Sequence, residues 1–453
     1  MNTPRGSDPG STSASSFSRR AFLQASLLGA GSLAVSGCST FAAGVTGAPA
    51  APGTVTFWDL FGGGDGARMA TMLSKFSQDH PGLGLQHVTL AWGNPYYTKV
   101  SLATLGAQPP DVGVSHASRL PIFQAGGLLE ELTPAVLAKH GLTPDKFDAK
   151  ALQACTINGK LYGLPLDTHP FVLFYNTDIC KKAGLLDADG NLKPLEGPDA
   201  FTDALAAAQK AGAQWGGVAS IENDTATNWR FFQSLYAQLG GQTLADQGRR
   251  VILDEAKATQ VLTYLRDLSV TKKLMPSSVD YGGAVALFAS GKAGFYLQGE
   301  WEITTFQTAK TPFSMTLFPN VFGGDKYAVQ ADSHTLIVPA RGNDPARTDR
   351  ALTFIRSILD QSLTWAKGGH IPTWLPVAES AEYKQLKPQS NYAAAAPAAV
   401  IDPPAWYSGS GSNFEIVLGS AIATVRSGQK PADAAVSAMR SGLETYAKTP
   451  PPV

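Results

Sequence analysis

The residues of this sequence that could do chemistry come close to two catalytic patterns and complete neither. Residues 113–117 (GVSHA) resemble the G-x-S-x-G turn that exposes a nucleophilic serine, but alanine replaces the last glycine. His334 or His370 could act as the base for such a serine. Residues 62–67 (GGGDGA) fit a loose dinucleotide fingerprint, although no acidic residue ends the next predicted strand to bind a ribose. We therefore expect neither a serine hydrolase nor a dinucleotide enzyme.

A metal or a cofactor is not expected either. The seven histidines are scattered along the chain, and no H-E-x-x-H pair or His/Cys cluster has metal-ligand spacing. A pair of glycosidase carboxylates leaves no local signature, because its members are usually distant in sequence. We expect a protein that is not an enzyme, and an exported glycoside hydrolase remains the enzyme alternative.

Aromatic and hydrogen-bonding side chains collect near predicted loops, which favours binding over catalysis. Sugars present apolar faces that stack on aromatic rings, and hydroxyls that need polar partners. Each candidate has a structural alternative: Trp229 could be core, Asp65 could cap a helix, and His334 could be a satisfied buried histidine. The candidate binding residues are Trp58, Asp65, Asn94, Tyr97, Ser115, His116, Arg119, Asp167, His169, Trp229, Arg230, Glu300, Trp301, His334 and Trp374.

A parallel sheet is predicted to position the first of these loops. Strand patterns lie at 54–60, 83–92 and 112–114, with helical apolar spacing between them at 67–76 and 96–105. Alternating strands and helices are typical of a parallel sheet covered by helices. Ligands bind such sheets at the carboxyl ends of the strands, here the loops 59–66, 92–97 and 115–119.

A hairpin and a buried strand are predicted near the middle of the chain. Asn158-Gly159 joins two short β-type runs, because both residues adopt positive φ at low cost. The polar run 167–169 then interrupts the apolar pattern before a strand at 171–175. Cys155 and Cys180 flank this segment. They form a disulfide if the neighbouring strands bring them together, and otherwise they are two buried thiols.

The N-terminus is predicted to be an export signal followed by a tether. Residues 18–23 (SRRAFL) carry a twin-arginine pattern, an apolar stretch follows at 25–35, and Cys38 ends the sequence VSGC. This spacing resembles a lipoprotein signal of residues 1–37 that exports a folded protein, with Cys38 as the lipidated first residue. An ordinary cleaved signal with a chance cysteine is the alternative. Residues 38–53 would be a flexible tether on the outer face of the cell membrane.

The composition indicates a large globular protein without a charged partner. Lys+Arg and Asp+Glu both number 36, and no basic run is present, so nucleic acid is not an expected partner. The length of 453 residues predicts two or three domains. No stretch is long and apolar enough for a transmembrane helix, which needs about 20 residues.

Several motifs in a fixed order resemble one known family. The pattern G-K-x-Y-G-x-P and then F-Y-N-T-D occupies 159–178, and PPDV precedes it at 109–112. ASGKA at 289–293, GEW at 299–301 and GHIP at 369–372 follow. This order resembles the extracellular solute-binding proteins (family 1) of bacterial ATP-binding-cassette importers, the sugar-binding family that includes maltose-binding protein. The resemblance covers nearly the whole chain after the tether.

The resemblance implies a type II periplasmic-binding-protein-like α/β fold, with two αβ lobes, a ligand cleft and several hinge crossovers. The first lobe would comprise 54–167 and 333–376, and the second 168–332 and 377–450. It also implies that Trp301 stacks on sugar and that hinge closure delivers the sugar from a monomeric lipoprotein to membrane permease subunits. A receptor for a polyol or a glycerol phosphate ester is the alternative binding protein, and a structural lipoprotein would show no ligand-driven closure.

Overall fold

The computed structural model describes residues 51–451. The predicted signal at 1–37, the lipidation of Cys38 and most of the predicted tether lie outside the described residues. Within 51–451, no helix is both long and apolar enough to cross a bilayer. The described chain forms two αβ lobes, each with its own sheet and its own hydrophobic core.

The strands and helices are named here in chain order. The strands are β1 (Thr54–Asp59), β2 (Gly84–Thr89), β3 (Val112–His116), β4 (Thr156–Ile157), β5 (Lys160–Leu161), β6 (Leu164–Pro165), β7 (Asp167–Asn176), β8 (Trp215–Val218), β9 (Leu244–Ala245), β10 (Arg250–Val251), β11 (Ala293–Gly299), β12 (Phe313–Leu317), β13 (Val329–Asp332), β14 (His334–Ile337), β15 (Ile371–Pro372) and β16 (Ala399–Val400). The helices are α1 (Gly63–Asp79), α2 (Asn94–Leu105), α3 (Leu120–Ala125), α4 (Pro134–Lys139), α5 (Ala149–Ala154), α6 (Thr177–Lys182), α7 (Gly197–Lys210), α8 (Thr225–Gln238), α9 (Glu255–Arg266), α10 (Tyr281–Ala289), α11 (Ile303–Thr308), α12 (Pro345–Asp360), α13 (Ser362–Ala366), α14 (Leu375–Ala378), α15 (Ala381–Gln385), α16 (Ala395–Ala398), α17 (Asn413–Arg426) and α18 (Ala432–Ala447).

The first lobe is built on a five-stranded sheet in the order β2-β1-β3-β14-β6. Strands β1, β2 and β3 are parallel, and β14 runs antiparallel to β3 and to β6. The apolar spacing that predicts α1 also packs it, because Met69, Met72 and Phe76 are buried in the first core. Parallel strands bring their carboxyl ends to one edge. Asp59 and His116 therefore end at the same edge of this sheet.

The second lobe is built around β7, all ten residues of which are buried. Strands β13 and β11 flank β7 in the main sheet, whose order is β16-β13-β7-β11-β8. Strands β12 and β15 pair with other parts of the same strand. The apolar run after His169 explains this central position, because a strand buried on both faces reads as a continuous apolar segment. Helix α8, capped by Asp224, packs its aromatic residues into the second core.

Short extended segments connect the two lobes. Leu166 alone separates β6 from β7, and Ser333 alone separates β13 from β14. Strand β13 pairs with β7 in the second sheet, whereas β14 pairs with β3 in the first. Because each lobe buries its own apolar core, one lobe can move relative to the other without opening either core.

Two predicted boundaries differ from the structure. The strand predicted at 171–175 begins earlier, because the polar run 167–169 is the first part of β7 and is buried between β13 and β15. The second half of the loop predicted at 59–66 is helical, since α1 begins at Gly63. Gly62 is the N-cap of this helix, so Asp65 lies in its first turn and does not cap it.

The structure also settles the pairing of the cysteines. Cys155 is buried in the first core and Cys180 in the second, and both are free thiols. Burial raises the pKa of each thiol to about 12. A disulfide between them is therefore excluded, because the two side chains belong to different cores.

Candidate functional site

A buried carboxylate, Asp167, joins the strands at which the chain passes between the lobes. Its Oδ1 accepts the backbone N–H of His334 at 2.8 Å and the Nδ1–H of His169 at 3.0 Å. Its Oδ2 accepts from His334 Nδ1 at 2.7 Å and from Trp365 Nε1 at 2.6 Å. Burial would raise the pKa of Asp167, but attraction to His334 and the histidine hydrogen bonds outweigh burial and lower that pKa well below its usual value. Asp167 is therefore ionised and fully hydrogen-bonded.

His370 lies among three carboxylates. Its Nε2 is 3.1 Å from Asp65 Oδ1, and its Nδ1 is 3.0 Å from Glu300 Oε1 and 3.2 Å from Asp167 Oδ2. Burial would lower the pKa of His370, but Asp65 and Asp167 raise it well above its usual value. None of these contacts is aligned as a hydrogen bond. Both ring nitrogens of His370 and both oxygens of Glu300 therefore have no hydrogen-bond partner among residues 51–451.

The first lobe contributes Tyr97, His116 and Arg119 to the same region. The Tyr97 hydroxyl lies 2.5 Å from His116 Nδ1, and the Arg119 guanidinium lies 4.3 Å from the centroid of the Tyr97 ring. Burial, with a smaller effect of the neighbouring His334, lowers the pKa of His116 well below its usual value. The His116 ring is therefore neutral near pH 7. Arg119 Nε is buried and has no hydrogen-bond acceptor in the described part of the chain.

Trp301 provides an aromatic surface on the second lobe. It follows β11, and its Nε1 donates to the Tyr281 hydroxyl at 2.8 Å, which fixes the orientation of the indole. The Arg230 guanidinium lies over the Trp301 ring at 5.1 Å, and the His169 ring is 6.3 Å away. Trp301 is half-buried, so part of its ring remains accessible to a bound molecule.

Two buried acids, Asp402 and Glu415, lie next to this surface. Burial and the proximity of Glu415 raise the pKa of Asp402 well above its usual value. Burial also raises the pKa of Glu415, although the charge of Arg230 opposes the change. Asp402 Oδ1 accepts from Trp229 Nε1 at 2.8 Å, whereas Asp402 Oδ2 has no partner among the described residues.

The two lobes touch at several points around these residues. Arg68 Nη2 of the first lobe donates to Thr304 Oγ1 of the second at 2.5 Å. Ser118 donates to the carboxylate of Asp332 and accepts the backbone N–H of Ser410 at 3.1 Å. The candidate site is therefore enclosed between the lobes.

A cavity of about 720 Å³ adjoins this region between the lobes. Gln124 and Asn158 line it from the first lobe, and Trp406 and the segment 446–451 line it from the second. Asp402 also lines this cavity, whereas none of the predicted binding residues does. We place the candidate site at the Asp167 cluster, because buried charged groups of both lobes converge there around His370.

Ten of the predicted binding residues fall at or beside this cluster. They are linked by the hydrogen bonds, ion-pair distances and ring contacts given above. These residues are Asp65, Tyr97, His116, Arg119, Asp167, His169, Arg230, Glu300, Trp301 and His334.

Two predicted stacking residues are core residues instead. Trp229 is fully buried in the second core against Phe414, with ring centroids 4.9 Å apart. Trp374 is 1% exposed in the first core, 5.0 Å from the Phe147 ring. A fully buried ring has no free face for a ligand, so both tryptophans are removed from the binding set.

The remaining three candidates differ in position. Ser115 is buried within β3, and its hydroxyl donates to the His116 carbonyl at 3.0 Å, so it is also removed. Trp58 lies inside β1 and not in a loop, half-buried beside the first core. Asn94 is exposed at the start of α2, beside Gly93. A Cβ on Gly411, whose φ is +67°, would lie only 3.0 Å from Gly93 Cα, so the second lobe approaches closely here.

Sequence analysis missed Asp402, Glu415 and Tyr281 as members of the site. Each lies in or beside a segment whose local pattern is ordinary: an irregular Pro-rich stretch, the first turn of α17 and the first turn of α10. A buried acid in a helix first turn is the signal that could have identified Glu415, but burial is not visible in the sequence.

The histidines are scattered along the sequence but not in the folded structure. Four of the seven lie together, with His169 and His334 ring centroids 4.2 Å apart and His334 and His370 centroids 5.5 Å apart. One set, His116, His169 and His334, offers ligand atoms within 4.8 Å of one another, and Asp167, His334 and His370 form a second set. Strand pairing therefore brings together histidines that are far apart in sequence, which a search for local motifs does not detect.

Comparisons with known proteins agree with one another. Residues 63–359 match the family model described as bacterial extracellular solute-binding protein. The maltodextrin-binding protein MdxE of Bacillus subtilis is 22% identical over 290 residues, which cover 62% of this chain and 64% of that protein. The arabinooligosaccharide-binding protein of Bacillus subtilis is 25% identical over 356 residues, covering 75% and 77%. The chain thus spans just under two thirds of the length of MdxE.

A solved structure confirms the predicted fold. The GacH receptor of Streptomyces glaucescens, determined unliganded and with acarbose, aligns with a TM-score of 0.73 at 21% identity. The alignment covers 87% of this chain and 98% of that receptor. This similarity establishes the two-lobed α/β fold, whereas the residue boundaries predicted for the two lobes stay a prediction.

Proposed function

The chain belongs to the bacterial extracellular solute-binding proteins, and from that premise we propose that it captures a sugar or oligosaccharide between its lobes. It then delivers the sugar to the permease of an ATP-binding-cassette importer. Relatives named for maltodextrin and for arabinooligosaccharide binding support a carbohydrate ligand. No bond of the sugar is made or broken in this function.

The observation that carries the proposal is a set of buried polar atoms without partners between the lobes. Asp65 Oδ1, Arg119 Nε, both Glu300 oxygens and both His370 ring nitrogens make no hydrogen bond within residues 51–451. Leaving one such atom unbonded costs about 1–3 kcal/mol, and native structures rarely keep several of them together. Sugar hydroxyls both donate and accept. One sugar could therefore satisfy the carboxylate acceptors and the arginine donor at the same time.

Trp301 supplies the second kind of contact that a sugar needs. Its ring is oriented by the hydrogen bond to Tyr281 and lies within reach of Arg230. An apolar sugar face would stack on this ring and exclude water from the hydroxyl contacts. Stacking and hydrogen bonding would then come from different lobes, since Asp65 and Arg119 belong to the first.

The charges around the site favour a neutral solute over a phosphorylated one. The arginines beside the cluster each lie near carboxylates: Arg68 near Asp65, Arg119 near Asp332 and Glu415, and Arg230 near Asp402 and Glu415. A phosphate group binds where cationic donors outnumber carboxylates. A polyol has the same hydroxyl chemistry as a sugar and remains the alternative solute, whereas a glycerol phosphate ester fits these charges less well.

We assign the closing movement to the segments at Leu166 and Ser333. The open form would bind sugar on one lobe, and contacts with the other lobe would favour the closed form. Asp167 lies where both segments meet, so it can hold the same hydrogen bonds while the lobes rotate.

Export and anchoring complete the proposal. The twin-arginine pattern and Cys38 support a lipid-anchored protein on the outer face of the membrane. In cell fractionation, Cys38→Ala should move the protein from the membrane fraction to the soluble fraction. Retention of this variant in the membrane fraction would contradict anchoring through Cys38.

The test is a thermal-shift and titration-calorimetry screen of the protein against mono- and oligosaccharides. A ligand present at about 100 times its Kd stabilises the folded state by about 2.7 kcal/mol. Trp301→Ala should weaken binding of the active sugar by about 100-fold. The matched control, Trp215→Ala, removes a half-buried tryptophan at the opposite end of β11, where Trp215 pairs with Ala293, and should leave Kd unchanged. Stabilisation by no carbohydrate, or recovery of a cleaved sugar, would contradict the proposal.

A further inference from the structure

Three histidines from three strands meet where the chain passes between the lobes. His116 ends β3 and His334 begins β14, and the antiparallel register places them directly opposite each other. His169 in β7 is paired with Asp332, two residues before His334. The ring centroids lie 4.2 Å apart for His169 and His334, 4.9 Å for His116 and His334, and 5.3 Å for His116 and His169. All three rings are buried.

Each of these rings is fixed by a hydrogen bond at Nδ1. Tyr97 holds His116 at 2.5 Å, and Asp167 holds His169 at 3.0 Å and His334 at 2.7 Å. A carboxylate without a proton only accepts, so His169 and His334 donate from Nδ1, which leaves Nε2 as the nitrogen that can bind a metal. The Tyr97 hydroxyl can donate or accept, and Nε2 of His116 is free to bind a metal when Tyr97 accepts from Nδ1. No hydrogen bond within residues 51–451 involves Nε2 of any of the three histidines.

We propose that His116, His169 and His334 bind one divalent transition metal ion of the zinc class through their Nε2 atoms. Three imidazoles with a fourth open position are the donor set of many zinc sites. A ligand histidine usually donates its other N–H to a carboxylate or another polar group, the role that Asp167 fills for two of these rings. The fourth position would be taken by water or by an oxygen of the bound solute.

The geometry needs only a small adjustment to accept the ion. Metal–nitrogen distances of about 2.0–2.1 Å in a tetrahedral site place the ligand nitrogens about 3.3 Å apart. One ring nitrogen of each histidine, Nδ1 or Nε2, already lies within 4.8 Å of a nitrogen of each of the other two rings, so the side chains must turn to bring their three Nε2 atoms to the spacing of a metal site. Rotation about the side-chain bonds supplies such a movement without a change in strand pairing.

The surroundings also suit a cation. All three rings are buried, and the Asp167 carboxylate accepts a hydrogen bond from two of them. Asp332 lies opposite His169 in the paired strands. The carboxylate of Asp167 would offset part of the charge of the ion, whereas Arg230 and the nearby His370 ring would oppose it.

The test uses the metal alone, with the full chain first freed of metal by a chelator and with no sugar present. Calorimetry with Zn²⁺ should give one ion per chain, and Co²⁺ should produce the visible absorption of a four-coordinate site. His169→Gln and His334→Gln should each weaken binding at least about 100-fold. The matched control His140→Gln, a half-buried histidine outside the cluster, should leave binding unchanged.

A second variant separates metal binding from folding. Tyr97→Phe keeps all three ligands and removes the hydroxyl that bonds to Nδ1 and to the backbone N–H of His116, so it should keep the Co²⁺ spectrum and weaken binding about 10-fold. Absence of the spectrum in the wild-type chain, or binding that survives His169→Gln, would overturn the proposal. In that case the Nε2 atoms are acceptors for solute hydroxyls only. Because no sugar is used, this failure would leave the proposed carbohydrate function standing.

Discussion

Two buried charged clusters in this protein differ in how completely they are hydrogen-bonded. In the first lobe, Arg347 is 1% exposed, and its Nε donates to Asp111 at 2.8 Å and its Nη1 to Glu130 at 2.9 Å. Its Nη2 donates to two backbone carbonyls. Between the lobes, Glu300 is equally buried and its Oε1 lies 3.0 Å from His370 Nδ1, yet neither of its oxygens makes an aligned hydrogen bond among the described residues. A buried charge whose hydrogen bonds are all made within the fold serves the fold, whereas one that lacks aligned hydrogen bonds indicates where a ligand binds.

The positions of the two clusters support this distinction. Arg347 lies in the first turn of α12 and joins that helix to the end of the first sheet within one lobe. Glu300 follows β11 of the second lobe and approaches His370, which also approaches Asp65 of the first. The cluster around Arg347 is therefore internal to one lobe, and the cluster around Glu300 lies where the two lobes meet.

The largest effect is expected at the paired cluster. Arg347→Met should reduce the free energy of unfolding by about 3–5 kcal/mol, because it leaves Asp111 and Glu130 buried without their cation. Urea unfolding measures this loss. The control Arg250→Met removes an exposed pair with Asp246 and should cost less than about 1 kcal/mol. Sugar affinity should be unchanged in both variants at a temperature where they are folded. A loss of sugar affinity in folded Arg347→Met would contradict the claim that the cluster around Arg347 serves only the fold.

At Glu300, between the lobes, we expect a loss of sugar affinity with little loss of stability. Glu300→Gln preserves the volume of the side chain but removes a charge-assisted hydrogen bond to the ligand, so sugar affinity should fall about 10-fold. Stability without ligand should change little, because His370 keeps the carboxylates of Asp65 and Asp167 at 3.1 and 3.2 Å when the charge of Glu300 is removed. Calorimetry and thermal unfolding measure the two quantities. Lower stability with unchanged affinity would mean that Glu300 serves the fold.

A pH experiment extends the comparison to Asp402. Its pKa is raised by burial and by Glu415. The contribution of protonated Asp402 to stability is therefore fully present below the unfolded pKa of about 3.9. It is lost as the pH rises through the pKa that Asp402 has in the folded protein. Asp402→Asn cannot ionise, so at about pH 7.5 it should be more stable than the wild type by about 1 kcal/mol. This advantage should disappear near pH 4.

Thermal unfolding across this pH range checks the Asp402 prediction. The same change at the paired carboxylate, Asp111→Asn, should destabilise the protein at neutral pH, because Asp111 accepts from Arg347 at 2.8 Å. An Asp402→Asn variant that is less stable than the wild type at neutral pH would show that Asp402 is a structural acid.

The smallest effect is expected at a contact between the lobes. Ser118→Ala removes the hydroxyl that donates to Asp332 and accepts from the Ser410 N–H. The closed form should lose about 0.5–1.5 kcal/mol, so sugar should dissociate about 3-fold faster with little change in its association rate. Stopped-flow fluorescence measures both rates. A slower association with an unchanged dissociation rate would place Ser118 in the first encounter with the sugar.

Strands and helices can be predicted from the sequence where the buried apolar residues recur at a regular spacing. Strands β1 and β3 and helix α1 were predicted because their apolar residues repeat with the spacing of the element that they form. The predicted start of β7, residue 171, is wrong, because the strand also contains the buried polar residues 167–169. Paired strands from both lobes supply the partners that make this burial possible, and no local pattern reveals those partners.

The site could be predicted only in part for the same reason. Trp301 and Trp229 are both candidate binding residues in the sequence, yet one is half-buried between the lobes and the other is inside a core. The histidine cluster depends on the pairing of His116 with His334, residues far apart in sequence. The residue types in the sequence identify candidate site residues. The pairing of strands that are distant in sequence determines which of these residues lie together in the site.

The crystal structure of the complex with the sugar found by screening tests the central claim most directly. The account predicts sugar oxygens within about 2.6–3.2 Å of Glu300 and Arg119, with one sugar face on Trp301. A sugar bound instead in the cavity lined by Gln124, Asn158 and Trp406 would contradict it. The unpaired polar atoms around Asp167 would then have a purpose other than carbohydrate binding.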